Sequence, residues 1–270
     1  MTLGSRILSL AALLAMGAAC TGLTAGERLV PADAETVEMF SAIDAGQIEV
    51  KLIPKDSRLC NVLVKNKTEK PLTVRLPDAF AGVPVMAQLG GGLGGGLGGG
   101  LGGGGMGGGM GGSGGGSQGF GGGMGGMGGG MGGGMMGGGF MNVSPEKVEK
   151  FKLTTVCLEH GKSEPRAAIP YKIVPIEQFT AKKEVHELCK MLGYGKMPQR
   201  VAQAAAWAMN NDMTWQDLAR KTIRRANGVQ LPYFSAMEIR AAMQVAAVAT
   251  KAAQEHEADD YAKMNSLSQN

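Results

Sequence analysis

Past its first residues, this chain has no stretch long and apolar enough to cross a bilayer, which takes about 20 residues. It also lacks an excess of charge of one sign: 27 basic side chains face 23 acidic ones, a net charge of +4. That near balance argues against a nucleic-acid partner, which needs a basic patch. Histidine is scarce, with 3 in the chain. His186-Glu187 has no second histidine one turn on, so no zinc-protease helix is present, and no G-x-S-x-G elbow occurs. With no acid, base or nucleophile assembled in sequence, the reading is of a protein that is not an enzyme and carries no cofactor.

What is present begins with an export signal. Arg6 is followed by the apolar run Ile7 to Met16 and then by the small residues Gly17-Ala18-Ala19. A run of 10 residues is too short to span a bilayer but suits a cleaved signal peptide. Two processing routes stay open: plain cleavage near Ala19 or Ala25, or lipid anchoring at Cys20. Gly17 stands where lipoprotein signals usually carry Leu or Val. The expected destination is the secreted or periplasmic space, or the cell envelope.

The most unusual segment is Gly90 to Gly139, which holds 36 of the 46 glycines. Glycine loses the most backbone entropy on ordering, and the scattered Leu and Met side chains cannot repay it. The run therefore reads as a disordered insertion. Its glycines are followed by no lysine, so they do not form a nucleotide loop.

Short strands flank the run: Ile48 to Ile53, Leu59 to Val64, Leu72 to Leu76, a weak fourth at Val83 to Ala87, then Phe140 to Val143, Val148 to Leu158 and Tyr171 to Ile176. Turns rich in Pro, Asn and Asp separate them, which predicts an antiparallel, immunoglobulin-like β-sandwich. The glycine run would then be a long hairpin loop joining the fourth and fifth strands. After Phe179 the period becomes helical. Helices are expected over Lys182 to Leu192, from Pro198 to about Asn210, from Thr214 to Arg220, and from the capping box Ser235 to Glu238 onward to about Tyr261. The fold class is thus α+β. The expected parts are a signal peptide (1–25), a linker (26–46), a sandwich (47–179) with disordered insertion 90–139, a helical domain (180–262) and a disordered tail (263–270).

Three cysteines remain after processing, and export permits disulfides. Cys60 and Cys157 lie on the second and sixth strands, which face each other across an immunoglobulin-like core, so a Cys60–Cys157 bridge is expected ahead of the alternative Cys157–Cys189, with Cys189 buried and unpaired. A rival use is zinc: Cys157 and His160, with His186 and Cys189, make a ligand set of the right types. A second metal reading is Cu(I), held by Met106, Met110, Met124, Met127, Met131, Met135 and Met136 of the glycine run. Arg220, Lys221, Arg224 and Arg225 read as a solvated basic helix face.

Gln203-Ala204-Ala205-Ala206-Trp207 resembles the Gln-x-Ala-x-Trp run of bacterial surface thioester domains. In that family a glutamine bonds to a cysteine and traps host nucleophiles, which would assign the pair Cys157 and Gln203 here. This chain departs from the family at Ala206, where a larger aliphatic is usual, and in the short spacing between the two residues. Over most of its mature length the chain also resembles uncharacterised exported bacterial proteins, on Leu76 to Val85, Thr155 to Lys162 and Ala202 to Trp207. That second resemblance implies no activity. The expected function is an exported, non-catalytic structural or binding protein of the cell envelope, whose partner is an unknown protein or envelope component. Metal binding and thioester adhesion are the alternatives.

Overall fold

A computed structural model describes residues 34–85, 117–125, 135–136 and 139–267. The expected signal peptide and Cys20 lie outside these residues.

The first strand, β1 (Glu35–Glu38), and a short helix, α1 (Met39–Asp44), occupy a segment read from the sequence as linker. They lead into a meander of β2 (Ile48–Pro54) and β3 (Leu59–Asn66). Next come β4 (Leu72–Arg75) and β5 (Phe80–Pro84). The glycine run contributes β6 (Phe120–Gly122) and β7 (Met135–Met136). The remaining strands of the body are β8 (Phe140–Val143), β9 (Val148–Cys157) and β10 (Tyr171–Pro175). Helices α2 (Lys183–Gly193) and α3 (Gln199–Asn210) follow, then α4 (Trp215–Arg220). A hairpin of β11 (Thr222–Arg224) and β12 (Gln230–Pro232) precedes the long α5 (Ala236–Leu267). Among the described residues no helix is long and apolar enough to cross a membrane.

The immunoglobulin-like sandwich is not what forms. Six strands close into an antiparallel barrel in the order β10-β2-β3-β9-β6-β5. A second sheet, β1-β4-β8-β7, lies beside it. The difference traces to the glycine run. Strand β6 pairs with β5 through Phe80↔Gly122, Ala81↔Gly121 and Gly82↔Phe120, and with β9 through Phe120↔Cys157. It is the stave that closes the sheet on itself. Residues 117–125 are therefore built into the fold, which corrects the reading of 90–139 as one disordered insertion. Residues 90–116, 126–134 and 137–138 lie outside the described set. The hairpin expected between the fourth and fifth strands is also replaced: β8 pairs with β4 and β7, while β5 pairs with β6 and β10.

Period-2 patterning explains the barrel interior. On β3, Cys60, Val62 and Val64 are buried while Leu59 and Lys65 face out. They meet Phe80, Phe120, Met124 and Leu153 inside. The outer face of the barrel packs Ala81, Val156, Leu158 and Ile176 against Val185, Leu188 and Cys189 of α2 and the alanines of α3. One apolar cluster thus joins barrel and helices.

The barrel and α2 approach so closely that only glycine fits. A Cβ on Gly193 would lie 2.4 Å from the Gly123 carbonyl carbon, and one on Gly123 would lie 2.5 Å from the Asp78 carbonyl oxygen. These obstacles are backbone and cannot rotate away. Gly193→Ala is expected to cost about 2–3 kcal/mol as an overpacking change. The shift of the urea midpoint measures it; an unchanged midpoint would show that α2 can slide.

Candidate functional site

Strand β9 outruns its neighbour. Its last pair with β3 is Thr154 with Leu59, and Thr155 N–H then donates to Arg58 O at 2.8 Å. Beyond that point one edge of β9 has no strand partner among the described residues. Helix α3 takes over that edge with side-chain amides. Gln199 Nε2 donates to Thr155 O at 3.0 Å. Gln203, one turn on, meets Cys157 twice: Cys157 N–H donates to Oε1 at 2.8 Å, and Nε2 donates to Cys157 O at 2.9 Å. Asn210 Nδ2 then donates to Leu158 O at 2.6 Å, and His160 N–H to Asn211 Oδ1 at 3.1 Å.

The sequence builds this ladder simply. Residues 199 and 203 share a helix face by their spacing of 4. Ala202, Ala204, Ala205 and Ala206 are fully buried, and their small side chains let the helix axis come close. Pro198 stands at the N-cap, where its missing N–H costs nothing. The orientation of the Gln203 amide is fixed by its partners, since a backbone N–H can only donate and a carbonyl can only accept. Cys157 is 2 % exposed and Gln203 4 % exposed, so the pair is dry.

The thiol of Cys157 shares a strand face with Thr155, two residues earlier. Thr155 Oγ1 donates to Ser57 O at 3.1 Å, so this face looks onto the β2–β3 turn. Ser57, itself buried, donates its hydroxyl to Glu164 Oε1 at 2.5 Å. Burial pushes the Cys157 thiol up to about 12; the Ser57 hydroxyl opposes the shift, and the Glu164 and Asp56 charges add to it. The sulfur is therefore a neutral thiol at physiological pH.

Trp207 follows one turn beyond Gln203 on α3 and is buried. Its ring meets His160 edge-on at 4.7 Å, Tyr233 at 5.4 Å and Phe234 at 5.8 Å. Lys221 Nζ lies 5.3 Å from the Trp207 ring and 2.9 Å from His160 Nε2. Burial, then the Lys221 charge, lowers the His160 pKa; burial lowers that of Lys221. Lys221 is thus not part of a wholly solvated basic face.

The expected disulfide does not fit the register. Cys60 stands opposite Leu153, four residues before Cys157 on the same strand. At the strand rise that offset is about 13 Å, well beyond the roughly 7 Å limit for a bridge. Cys60, Cys157 and Cys189 are all free and buried.

The four zinc candidates are scattered too. Cys189 packs beneath Gly121, its Sγ 2.9 Å from where a Cβ on that glycine would lie, while His160 is engaged by Lys221. His186 points the other way, with Nε2 2.7 Å from Thr180 O, and lines a surface cavity of about 340 Å³ with Asp78, Glu177 and Lys190. Among the described residues no three His, Cys, Asp or Glu side chains gather as a metal site. Of the copper candidates, Met124 is a fully buried core residue, not a free thioether. Met106, Met110, Met127 and Met131 lie outside the described residues, and Met135 and Met136 are described only as strand.

The structure brings together one pair that the sequence suggested, Cys157 and Gln203. It adds Ser57, Glu164, Gln199, Asn210 and Tyr233, which sequence reasoning missed. The signal available was the amide series at 199, 203 and 210 along one helix. No protein-family model, curated protein or solved structure matches this chain.

Proposed function

We propose that this is an exported envelope protein that attaches covalently to amine-bearing partners through an internal thioester between Cys157 and Gln203. The observation that carries the reading is the double hydrogen bond from the Gln203 amide to the Cys157 backbone, buried on both sides. The resemblance of residues 203–207 to surface thioester domains supports it independently. Each molecule reacts once, so the protein remains a binding module and not a turnover enzyme.

The chemistry follows from the geometry. The Cys157 sulfur attacks the Gln203 amide carbon, a thioester forms, and ammonia leaves. Holding both groups on fixed elements makes this step intramolecular, where effective molarities reach about 10⁵–10⁸ M. The Cys157 N–H already sits on the carbonyl oxygen that becomes the oxyanion, as in an oxyanion hole. The product carries no charge, which suits a site that disfavours the thiolate. Burial also keeps water from the acyl bond until a stronger nucleophile arrives.

Intact mass of native protein tests the reading. Wild type is expected to be lighter by one ammonia, and Cys157→Ala and Gln203→Ala to show full mass. Methylamine should then restore a free Cys157 and leave its mark on residue 203. Full mass in wild type, with all three thiols open to alkylation after denaturation, would sink the proposal.

A further inference from the structure

Resting on that reading, we propose that Ser57 and Glu164 form the proton relay of the acyl transfer, taking the proton from an attacking primary amine and returning one to the departing Cys157 sulfur. Four observations converge. The Ser57 hydroxyl is held at 2.5 Å on Glu164 Oε1 although 107 residues separate the two in sequence. Ser57 is buried, while Glu164 is exposed, so the pair runs from solvent to the interior. The turn carrying Ser57 is clamped to β9 at Thr155, through the N–H to Arg58 O and the hydroxyl to Ser57 O, on the strand face that Cys157 shares. The Glu164 carboxylate is exposed, and its charge is felt at both Cys157 and Tyr233.

The need for a relay is chemical. A thiol held neutral by burial requires a base before it can attack, and the same sulfur must be reprotonated when it leaves. In formation, the Cys157 S–H proton passes to Ser57 Oγ, whose own proton passes to Glu164; the departing amide nitrogen takes up a proton and leaves as ammonia. In transfer, R–NH₂ adds to the thioester carbon and loses its proton along the same path. The C–S bond breaks, the sulfur is reprotonated through Ser57, and the products are an R–NH–CO amide on Gln203 and a free Cys157 thiol. No oxidant or cofactor enters. Glu164 also offers an anion at the entrance, which draws the ammonium form of a primary amine. His160 is less suited: its Nε2 is occupied by Lys221 at 2.9 Å and its ring packs on Trp207. The Ser57 hydroxyl favours the ionised form of the Cys157 sulfur, and Glu164 acts through Ser57.

The test is hydroxylamine cleavage of the native protein, followed by mass and by release of the Cys157 thiol across pH 4–8, corrected for protonation of the probe. Glu164→Gln keeps an oxygen for the Ser57 hydroxyl but cannot take a proton. It is expected to slow cleavage by roughly 10²-fold, the low end of acid–base contributions. It should also lose the acidic limb of the wild-type profile while melting at the wild-type temperature. Glu164→Asp should restore the limb in part, and Ser57→Ala should match Glu164→Gln. If wild type forms the thioester but Glu164→Gln reacts at the wild-type rate with the wild-type profile, the relay is overturned and the thioester stands. If wild type shows no loss of ammonia, both fall together.

Discussion

Replacing residues 90–139 with a short Gly/Ser turn is expected to abolish cooperative unfolding. Loop-closure entropy alone points the other way, since a shorter connection is cheaper to close. The decisive term is the strand inside the run. Removing β6 strips a pairing partner from both β5 and β9 and opens the barrel. It also deletes Phe120 and Met124, both fully buried. Truncating a buried Phe costs about 3–5 kcal/mol and a buried Met about 2–5, before any ladder hydrogen bond is counted. The sum rivals the whole stability of a domain, about 5–15 kcal/mol. Further anchors go too: Tyr171 donates to Gln118 O at 2.9 Å, and Gly119 N–H donates to Glu159 Oε2 at 2.7 Å. Near-UV circular dichroism during a melt would read the outcome. Phe120→Ala alone is expected to lower stability by about 3–5 kcal/mol, which keeps the test quantitative if the large deletion does not fold. A deletion variant that melts as wild type does would show that the barrel closes without its glycine stave.

Why that strand was hidden is instructive. Gly121 and Gly122 carry no side chain, so period-2 alternation has nothing to register. Yet glycine is demanded there: a Cβ on Gly121 would meet Leu158 at 2.8 Å and Cys189 at 2.9 Å, and one on Gly122 would meet Thr154 O at 2.9 Å. Composition marked the run as unable to fold alone, and its described residues 120–122 take their place by pairing between two strands that already have patterned faces. Those patterned strands were legible. Phe140–Val143 has the bounds its alternation suggested, and β2, β3, β9 and β10 differ from expectation by a residue or two at their ends. Helix α5 begins at the expected capping box, with Ser235 N–H on Glu238 Oε2 at 2.7 Å and Glu238 N–H on Ser235 Oγ at 3.2 Å. Closure of the sheet was not legible, because it depends on long-range pairing through a stave without side chains.

The site was half legible for a related reason. Gln203 and Trp207 stood out as a motif, and Cys157 as a buried strand cysteine. The disulfide expectation failed on register, a quantity that strand alternation does not fix between distant segments. Ser57 and Glu164 sit outside the helices and strands with no periodic signal, and only the folded chain brings the two together. Lys221 was placed by charge on a solvated face, whereas its ammonium group sits over the Trp207 and Tyr233 rings.

Three buried thiols make the fold sensitive to alkali, and the loss should be steep. Burial raises Cys60, Cys157 and Cys189 each from 9.0 to about 12. Below pH 9 both folded and unfolded chains keep these protons, so the thiols add no pH dependence. Between about 9 and 12 the unfolded chain releases protons that the folded chain retains, and stability falls as pH rises. The slope is about 1.4 kcal/mol per thiol for each pH unit, so roughly 4 kcal/mol for three. With all three thiols free, urea midpoints should therefore be flat to about pH 9 and then drop, with a stability of about 5–15 kcal/mol exhausted two or three units higher. Tyr171, also pushed up to about 12 by burial, adds to the decline above its ordinary value of 10.0. Cys60→Ala should remove a third of the cysteine slope while lowering the plateau. Stability that stays flat through pH 11 would mean that the thiols ionise as readily in the fold as in the open chain. The dry, neutral environment from which the thioester chemistry was argued would then be absent.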